Sequence, residues 1–252
     1  MMRKNLIAGN WKMYKTPKES VEFVKQLKDA VKVYNDREIL VCPAFTSLFP
    51  VSEILKDTSV KFGAQNAYFE DEGAFTGEVS VKMLQDIGVN YVICGHSERR
   101  NIFMETDADI NKKIMKTIAA GIVAILCVGE KLEEREQGKT FDVIERQITK
   151  CLDNIEDIKN IVIAYEPVWA IGTGKNATQE QAKDVHRFIR GLIEKLYGKE
   201  SAENIQILYG GSVKPENIDL LMGEEDIDGV LVGGASLKLD SFLRIIDYKN
   251  GG

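Results

Sequence analysis

A chain of 252 residues with 44% apolar and 29% charged residues is long enough to bury a sizeable core in one large domain. Its net charge of −6 supplies no global positive field, which argues against nucleic acid and anionic membranes as partners, and no apolar run is long enough to span a bilayer. No apolar core of export-signal length follows the basic start, and the four cysteines (Cys42, Cys94, Cys127 and Cys151) lack metal-type spacing; reduced core thiols in a cytoplasmic protein are expected.

The first β-rich run, Leu6-Ile-Ala8, ends in Gly9-Asn-Trp-Lys12. Thr16-Pro-Lys-Glu19 is a capping box with proline at the first helical position, and Val21, Val24, Leu27, Lys28 and Val31 supply a mostly apolar stripe behind it. Ile39-Leu-Val41 and Val60-Lys-Phe62 read as strands two and three, and a long segment from Gln65 to Glu78, with Phe69 and Phe75, follows the third. Tyr91-Val-Ile93 leads into Gly95-His-Ser-Glu-Arg-Arg100, and Ile110, Ile114 and Ile118 mark a helix that Gly121 stops. After Val123-Ala-Ile-Leu126, a further helix is marked by Phe141, Ile144, Ile148 and Leu152.

Ile161-Val-Ile163 ends in Glu166-Pro167, followed by Val168, Trp169 and Ile171 and then by Gly172-Thr-Gly174 and Lys175. A stiff proline at one end, loose glycines at the other and apolar residues between them suit a lid; the alternative is an ordinary strand-to-helix loop with a solvated glutamate. Thr178-Gln-Glu-Gln181 caps a helix with the stripe Ala182, Val185, Ile189, Leu192, Ile193 and Leu196, in which His186 reads as structural. Ile207-Leu208 runs into Tyr209-Gly-Gly-Ser212, and Gly229-Val-Leu-Val232 into Gly233-Gly-Ala-Ser236.

Eight such runs, at an average spacing of about 32 residues, are strand–helix units. Most are too uniformly apolar for half-exposed strands, as a parallel sheet covered by helices requires. The pattern predicts an α/β fold, a closed (β/α)8 barrel forming a single domain over residues 1–252; an open doubly wound sheet ranks second, because no glycine-rich dinucleotide turn follows the first strand.

In such a barrel the chemistry lies on the loops after the strands. Lys12, His96 and Glu166 would bring a cation, a neutral donor and a base to one mouth, a set suited to proton abstraction next to a carbonyl. Gly210-Gly211-Ser212 and Gly233-Gly234, on the last two loops, would let backbone N–H groups approach an anion. Taken singly, each residue also has an ordinary structural explanation. Only two histidines occur, so a His-rich metal site is excluded.

Gly9-Asn-Trp-Lys12, Gly95-His-Ser-Glu-Arg-Arg100, the stretch from Ala164 to Lys175, Tyr209-Gly-Gly-Ser212 and Leu231-Val-Gly-Gly-Ala235 resemble the triosephosphate isomerase family, in the family's order from first strand to last. The family is itself a standard illustration of a glutamate base beside a neutral histidine under a closing loop. The resemblance implies a TIM barrel that interconverts dihydroxyacetone phosphate and D-glyceraldehyde 3-phosphate through an enediolate, in glycolysis and gluconeogenesis, with no metal, nucleotide or prosthetic group. It implies Glu166 as base, His96 as the neutral imidazole serving the two oxygens, and Lys12, paired with Glu98, as the cation that stabilises the oxyanion. Asn10 would contact substrate, and Gly172, Ser212, Gly233 and Gly234 would hold the phosphate. Ile171 and Leu231 would dry the base on closure. A helix starting after Ser97 would disfavour protonation of His96.

The same resemblance implies a homodimer through the Gln65–Glu78 loop, with Glu78 pairing with Arg99 across the interface. Cys94, Met104 and Tyr14 depart from the family pattern; Met104 stands where glycine is expected and Tyr14 where asparagine is frequent. The rival functions are another barrel enzyme of sugar or indole phosphates, and a phosphate-binding barrel without catalysis.

Overall fold

The computed structural model describes residues 3–170 and 178–249. The eight apolar runs become the strands β1 (Asn5–Asn10), β2 (Arg37–Cys42), β3 (Val60–Ala64), β4 (Tyr91–Cys94), β5 (Val123–Val128), β6 (Ile161–Tyr165), β7 (Gln206–Tyr209) and β8 (Gly229–Val232). Each pairs in parallel with the next, and β8 pairs with β1 to close the barrel, Leu6 opposite Gly229 and Ile7 opposite Val230. The open sheet is thereby excluded.

Side chains alternate across each strand, so every strand has one face inside the barrel and one beneath the helices. Leu6, Ala8, Leu40, Cys42, Tyr91, Ile93, Ile125, Cys127, Val162, Ala164, Leu208 and Leu231 pack together as the interior. The intervening residues, such as Ile7, Ile39, Val41, Leu126 and Ile163, pack outward with helix residues such as Val24, Leu27, Ile110 and Ile189. Burial on both faces is why the strands read as continuous apolar runs. All four cysteines are buried and unpaired.

The capping boxes form as expected. Thr16 and Glu19 exchange hydrogen bonds at the start of the helix Pro17–Ala30, and Thr178 and Gln181 do so at the start of the helix Gln179–Tyr197. The stripes shift in detail. Pro17–Ala30 buries Ser20, Phe23, Val24 and Leu27, with Val21 only half-buried. This helix also packs on the helix Phe45–Leu55, and the small Ser20 meets Ser47 Oγ there at 3.0 Å. Phe141 is partly exposed against Phe188, and the buried face of the helix Thr140–Cys151 instead includes Gln147. Among the described residues no helix is long and apolar enough to cross a membrane.

The segment between Gln65 and Glu78 contains no helix or strand. Its aromatics meet one another: Tyr68 stacks on Phe69 at 4.3 Å and lies 4.7 Å from Phe75. Phe75 nevertheless stays exposed, as do Met13, Tyr14, Ile102 and Phe103.

Candidate active site

The C-terminal end of β1 sets the first functional group. Asn10 is buried, and its Oδ1 accepts the backbone N–H of Lys12 at 3.0 Å. Lys12 is held with φ at +53°, an unfavourable conformation for a side-chain-bearing residue, and Gln65 Nε2 secures it by donating to the Lys12 carbonyl at 2.8 Å. Trp11, fully buried and edge-on to Phe23 at 5.0 Å, anchors the turn beneath. The Lys12 ammonium meets Glu98 Oε1 at 2.6 Å, the pairing that the sequence led us to expect.

His96 follows β4 and is the N-cap of the short helix Ser97–Asn101. Its Nδ1 accepts the Glu98 backbone N–H at 3.2 Å, and its Nε2 lies 3.0 Å from Glu166 Oε1. Because Nδ1 accepts, the neutral ring carries its proton on Nε2 and donates it to the carboxylate. The second oxygen, Oε2, accepts the Ser97 backbone N–H at 2.9 Å.

Glu166 and His96 are both buried, and their titrations are coupled. Burial works against the Glu166 carboxylate, but His96, the Ser97 N–H and Lys12 more than compensate and hold it below the usual carboxylate range. Burial likewise works against the imidazolium, yet the neighbouring carboxylate raises His96 above its ordinary value. The expected depression of His96 is therefore not realised while Glu166 sits against it. The helix-start effect survives in one specific contact, the Glu98 N–H directed at Nδ1, which opposes a proton on that nitrogen.

Glycines make room for the base. A Cβ on Gly129, after β5, would fall 1.7 Å from the Glu166 carbonyl oxygen, and one on Gly210, after β7, would fall 2.8 Å from Glu166 Cγ. A Cβ on Gly211 would meet the Tyr209 hydroxyl at 2.3 Å. The pair Gly210-Gly211 is thus explained by its neighbours within the chain. At Gly233 the nearest atom to such a Cβ is Lys12 Cε at 3.6 Å, and at Gly234 nothing lies within 4 Å, so this second pair borders open space.

That space is a cavity of about 440 Å³ lined by Asn10, Lys12, His96, Glu166, Ser212, Gly233 and Gly234, with Leu231 and Tyr14 also on its wall. The structure brings together every expected site residue except Gly172, which with Ile171, Gly174 and Lys175 of the expected lid lies outside the described residues. His186 is remote from this group: it is fully buried, with Nδ1 3.0 Å from the Asp226 carbonyl oxygen. No cluster of three or more His, Cys, Asp or Glu suited to a metal occurs among the described residues.

The sequence reading passed over the end of β5. Glu130 there is fully buried and accepts from the Tyr165 hydroxyl, from Trp169 Nε1 at 2.9 Å and from Arg135 Nη1 at 3.0 Å, so it ties down the turn Val168–Ala170 just after the base. The signal for it is Glu130 itself, a charged residue two positions past the apolar run of strand five, the same kind of polar strand end that marks Lys12, His96 and Glu166. The need for glycine at 129 was not visible, because Glu166 is far away in the chain.

A closed parallel barrel that gathers a lysine, a histidine and a glutamate around a cavity at the C-terminal ends of its strands has the form of a (β/α)8-barrel enzyme. The family model described as triosephosphate isomerase matches residues 5–249. Triosephosphate isomerase of Carboxydothermus hydrogenoformans is 57% identical over 247 residues, covering 97% of this chain and 98% of that protein. Triosephosphate isomerase of Geotalea uraniireducens is 54% identical over 249 residues, covering 98% and 99%. The chain belongs to the triosephosphate isomerase family.

Proposed function

We propose that the chain interconverts dihydroxyacetone phosphate and D-glyceraldehyde 3-phosphate in the cytoplasm, with Glu166 moving a proton between the two carbons. The observation that carries this is the buried Glu166–His96 contact of 3.0 Å at the wall of the cavity that also admits Lys12. A carboxylate kept ionised can accept a carbon-bound proton, and an Nε2–H donor and an ammonium can stabilise the oxygen on which charge develops. Both Glu166 oxygens are occupied before substrate arrives. Abstraction therefore requires Oε1 to release the imidazole, which frees the His96 N–H for the substrate oxygen. Asn10, Ser212, Gly233 and Gly234 would contact the substrate and its phosphate, joined by Gly172 on closure.

A coupled assay with glyceraldehyde 3-phosphate tests the reaction; absence of turnover in pure protein would refute it. Glu166→Asp withdraws the carboxylate by one methylene and should lower kcat by about two to three orders of magnitude, as expected when a reacting group is misplaced by about 1 Å.

The protein would work as a homodimer through the loop from Gln65 to Glu78. In support, the exposed apolar residues Met13, Tyr14, Phe75, Ile102 and Phe103 lie on that loop and on the two active-site loops, and Gln65 bonds directly to the Lys12 carbonyl. Within the chain Arg99 bonds Glu105, so a pairing with Glu78 of the partner subunit would have to be shared or exchanged. Sedimentation showing a fully active monomer at nanomolar concentration would exclude the dimer.

A further inference from the structure

β4 stops pairing with β5 at Cys94 opposite Leu126. β5 runs on beside β6 to Val128 opposite Tyr165, and the pairing continues past both strands: Glu166 N donates to the Val128 carbonyl at 2.7 Å, and Val168 N to the Glu130 carbonyl at 3.1 Å. The last part of β5 thus has a strand neighbour on one edge only. Backbone groups on its other edge need partners from elsewhere.

Two side chains take that edge. Arg100 Nη2 donates to the Cys127 carbonyl at 3.1 Å, while its Nε donates at 2.8 Å to the carbonyl of Gly95, where β4 has turned away. Two residues further along, Gln147 Oε1 accepts the Gly129 N–H at 2.8 Å, and its Nε2 donates to the Gly129 carbonyl at 3.2 Å. A carboxamide has a donor and an acceptor in one plane, so it can engage both polar groups of one residue as a neighbouring strand would. Gln147 is buried and comes from the outer helix Thr140–Cys151. It does not line the cavity of Lys12 and His96, but with Arg100 and Gly129 it lines a second cavity of about 350 Å³ on the other side of Glu166. The residue it holds, Gly129, packs so near the main chain of Glu166 that a Cβ there would fall 1.7 Å from the Glu166 carbonyl oxygen.

We propose that Gln147, with Arg100, is a positioning residue for Glu166: the two side chains replace β4 along the end of β5 and so fix the backbone platform against which the base is set. This rests on Glu166 being the base. Gln147→Leu removes both bonds to Gly129 and substitutes an apolar side chain of similar size. It should lower kcat by about ten- to a hundredfold with KM changed less than about twofold, because the platform moves and the substrate cavity is untouched. Gln147→Glu keeps the acceptor for the Gly129 N–H but has no donor for its carbonyl, and kcat should fall between the native and Leu values; this variant also carries the test should Gln147→Leu not fold. In a Glu166→Asp background the further loss from Gln147→Leu should shrink, since residues that act through one another are not additive.

Native kcat in both Gln147 variants, even with a lowered melting temperature, would overturn the proposal, as would fully additive losses in the double variant. Glu166→Asp at the native rate would instead overturn the base assignment. Loss in Glu166→Asp with native kcat in the Gln147 variants overturns the positioning role alone.

Discussion

Gly210→Ala tests how closely the base is confined. The backbone at Gly210 lies outside the left-handed region, so alanine adds a methyl group without backbone strain. That methyl would lie 2.8 Å from Glu166 Cγ and 3.2 Å from the Tyr165 carbonyl oxygen. Carbon atoms settle at about 3.5–4.0 Å, so the Glu166 side chain must move by roughly 0.7 Å or more. His96 Nε2 and the Ser97 N–H hold its two oxygens at 3.0 and 2.9 Å, and a shift of that size stretches or misaligns both bonds. If a misplacement of about 1 Å costs on the order of a hundredfold, kcat should fall about tenfold, with KM affected much less. Gly129→Ala is the severe counterpart, because its methyl would lie 1.7 Å from the Glu166 carbonyl oxygen and the main chain itself must move. Its loss should exceed that of Gly210→Ala and be accompanied by a lower melting temperature. Steady-state kinetics in both directions, with thermal melts as a control on folding, measure these effects. Native kcat in Gly210→Ala would mean that Glu166 tolerates displacement and that its fixed geometry does not matter to the reaction.

Met104→Gly should stabilise the protein. Met104 is 74% exposed with φ at +57°, so glycine forfeits little burial. Relief of about 1–2 kcal/mol of left-handed strain, less about 0.5–1 kcal/mol for glycine's greater freedom when unfolded, leaves roughly 0–1.5 kcal/mol, or up to about 6 °C in melting temperature. A lower melting temperature would contradict this.

His186, whose pKa burial pushes down to about 4, must stay neutral in the folded chain. The unfolded chain binds that proton from about pH 6.5 downward, so stability should fall as pH drops towards 4, by up to roughly 3 kcal/mol, and be fully present above about pH 6.5. Urea titrations across that range should show a shallower acid-side loss in His186→Gln. Chelator treatment should leave activity intact, as measured by the coupled assay.

The eight strands and the polar residues at the loop ends were legible because each depends on local pattern, and barrel closure was inferred from the number and spacing of the strands. Strands buried on two faces must be apolar throughout, capping boxes are contiguous, and polar residues that end strands stand out against the runs before them. The departure at Met104 came from the family resemblance, which places glycine there, and the positive φ of that position is the physical reason glycine suits it. The apolar stripes were less legible in detail: Phe23 and Gln147 both fall on the helical period of their buried faces, but one stripe was read through Val21 in place of Phe23, and Gln147 is polar.

The sequence by itself determined the order of strands, the chemistry available at each loop and the spacing that delivers Lys12, His96 and Glu166 to one end of the barrel. Only the tertiary structure decided how those groups are held. Barrel closure sets Gly129 and Gly210 against Glu166 from both sides, places the carboxylate so that it raises His96 and is itself held ionised, and lets Gln147 stand where β4 has ended. These are contacts between residues tens of positions apart, and their steric and electrostatic demands arise only when the sheet closes.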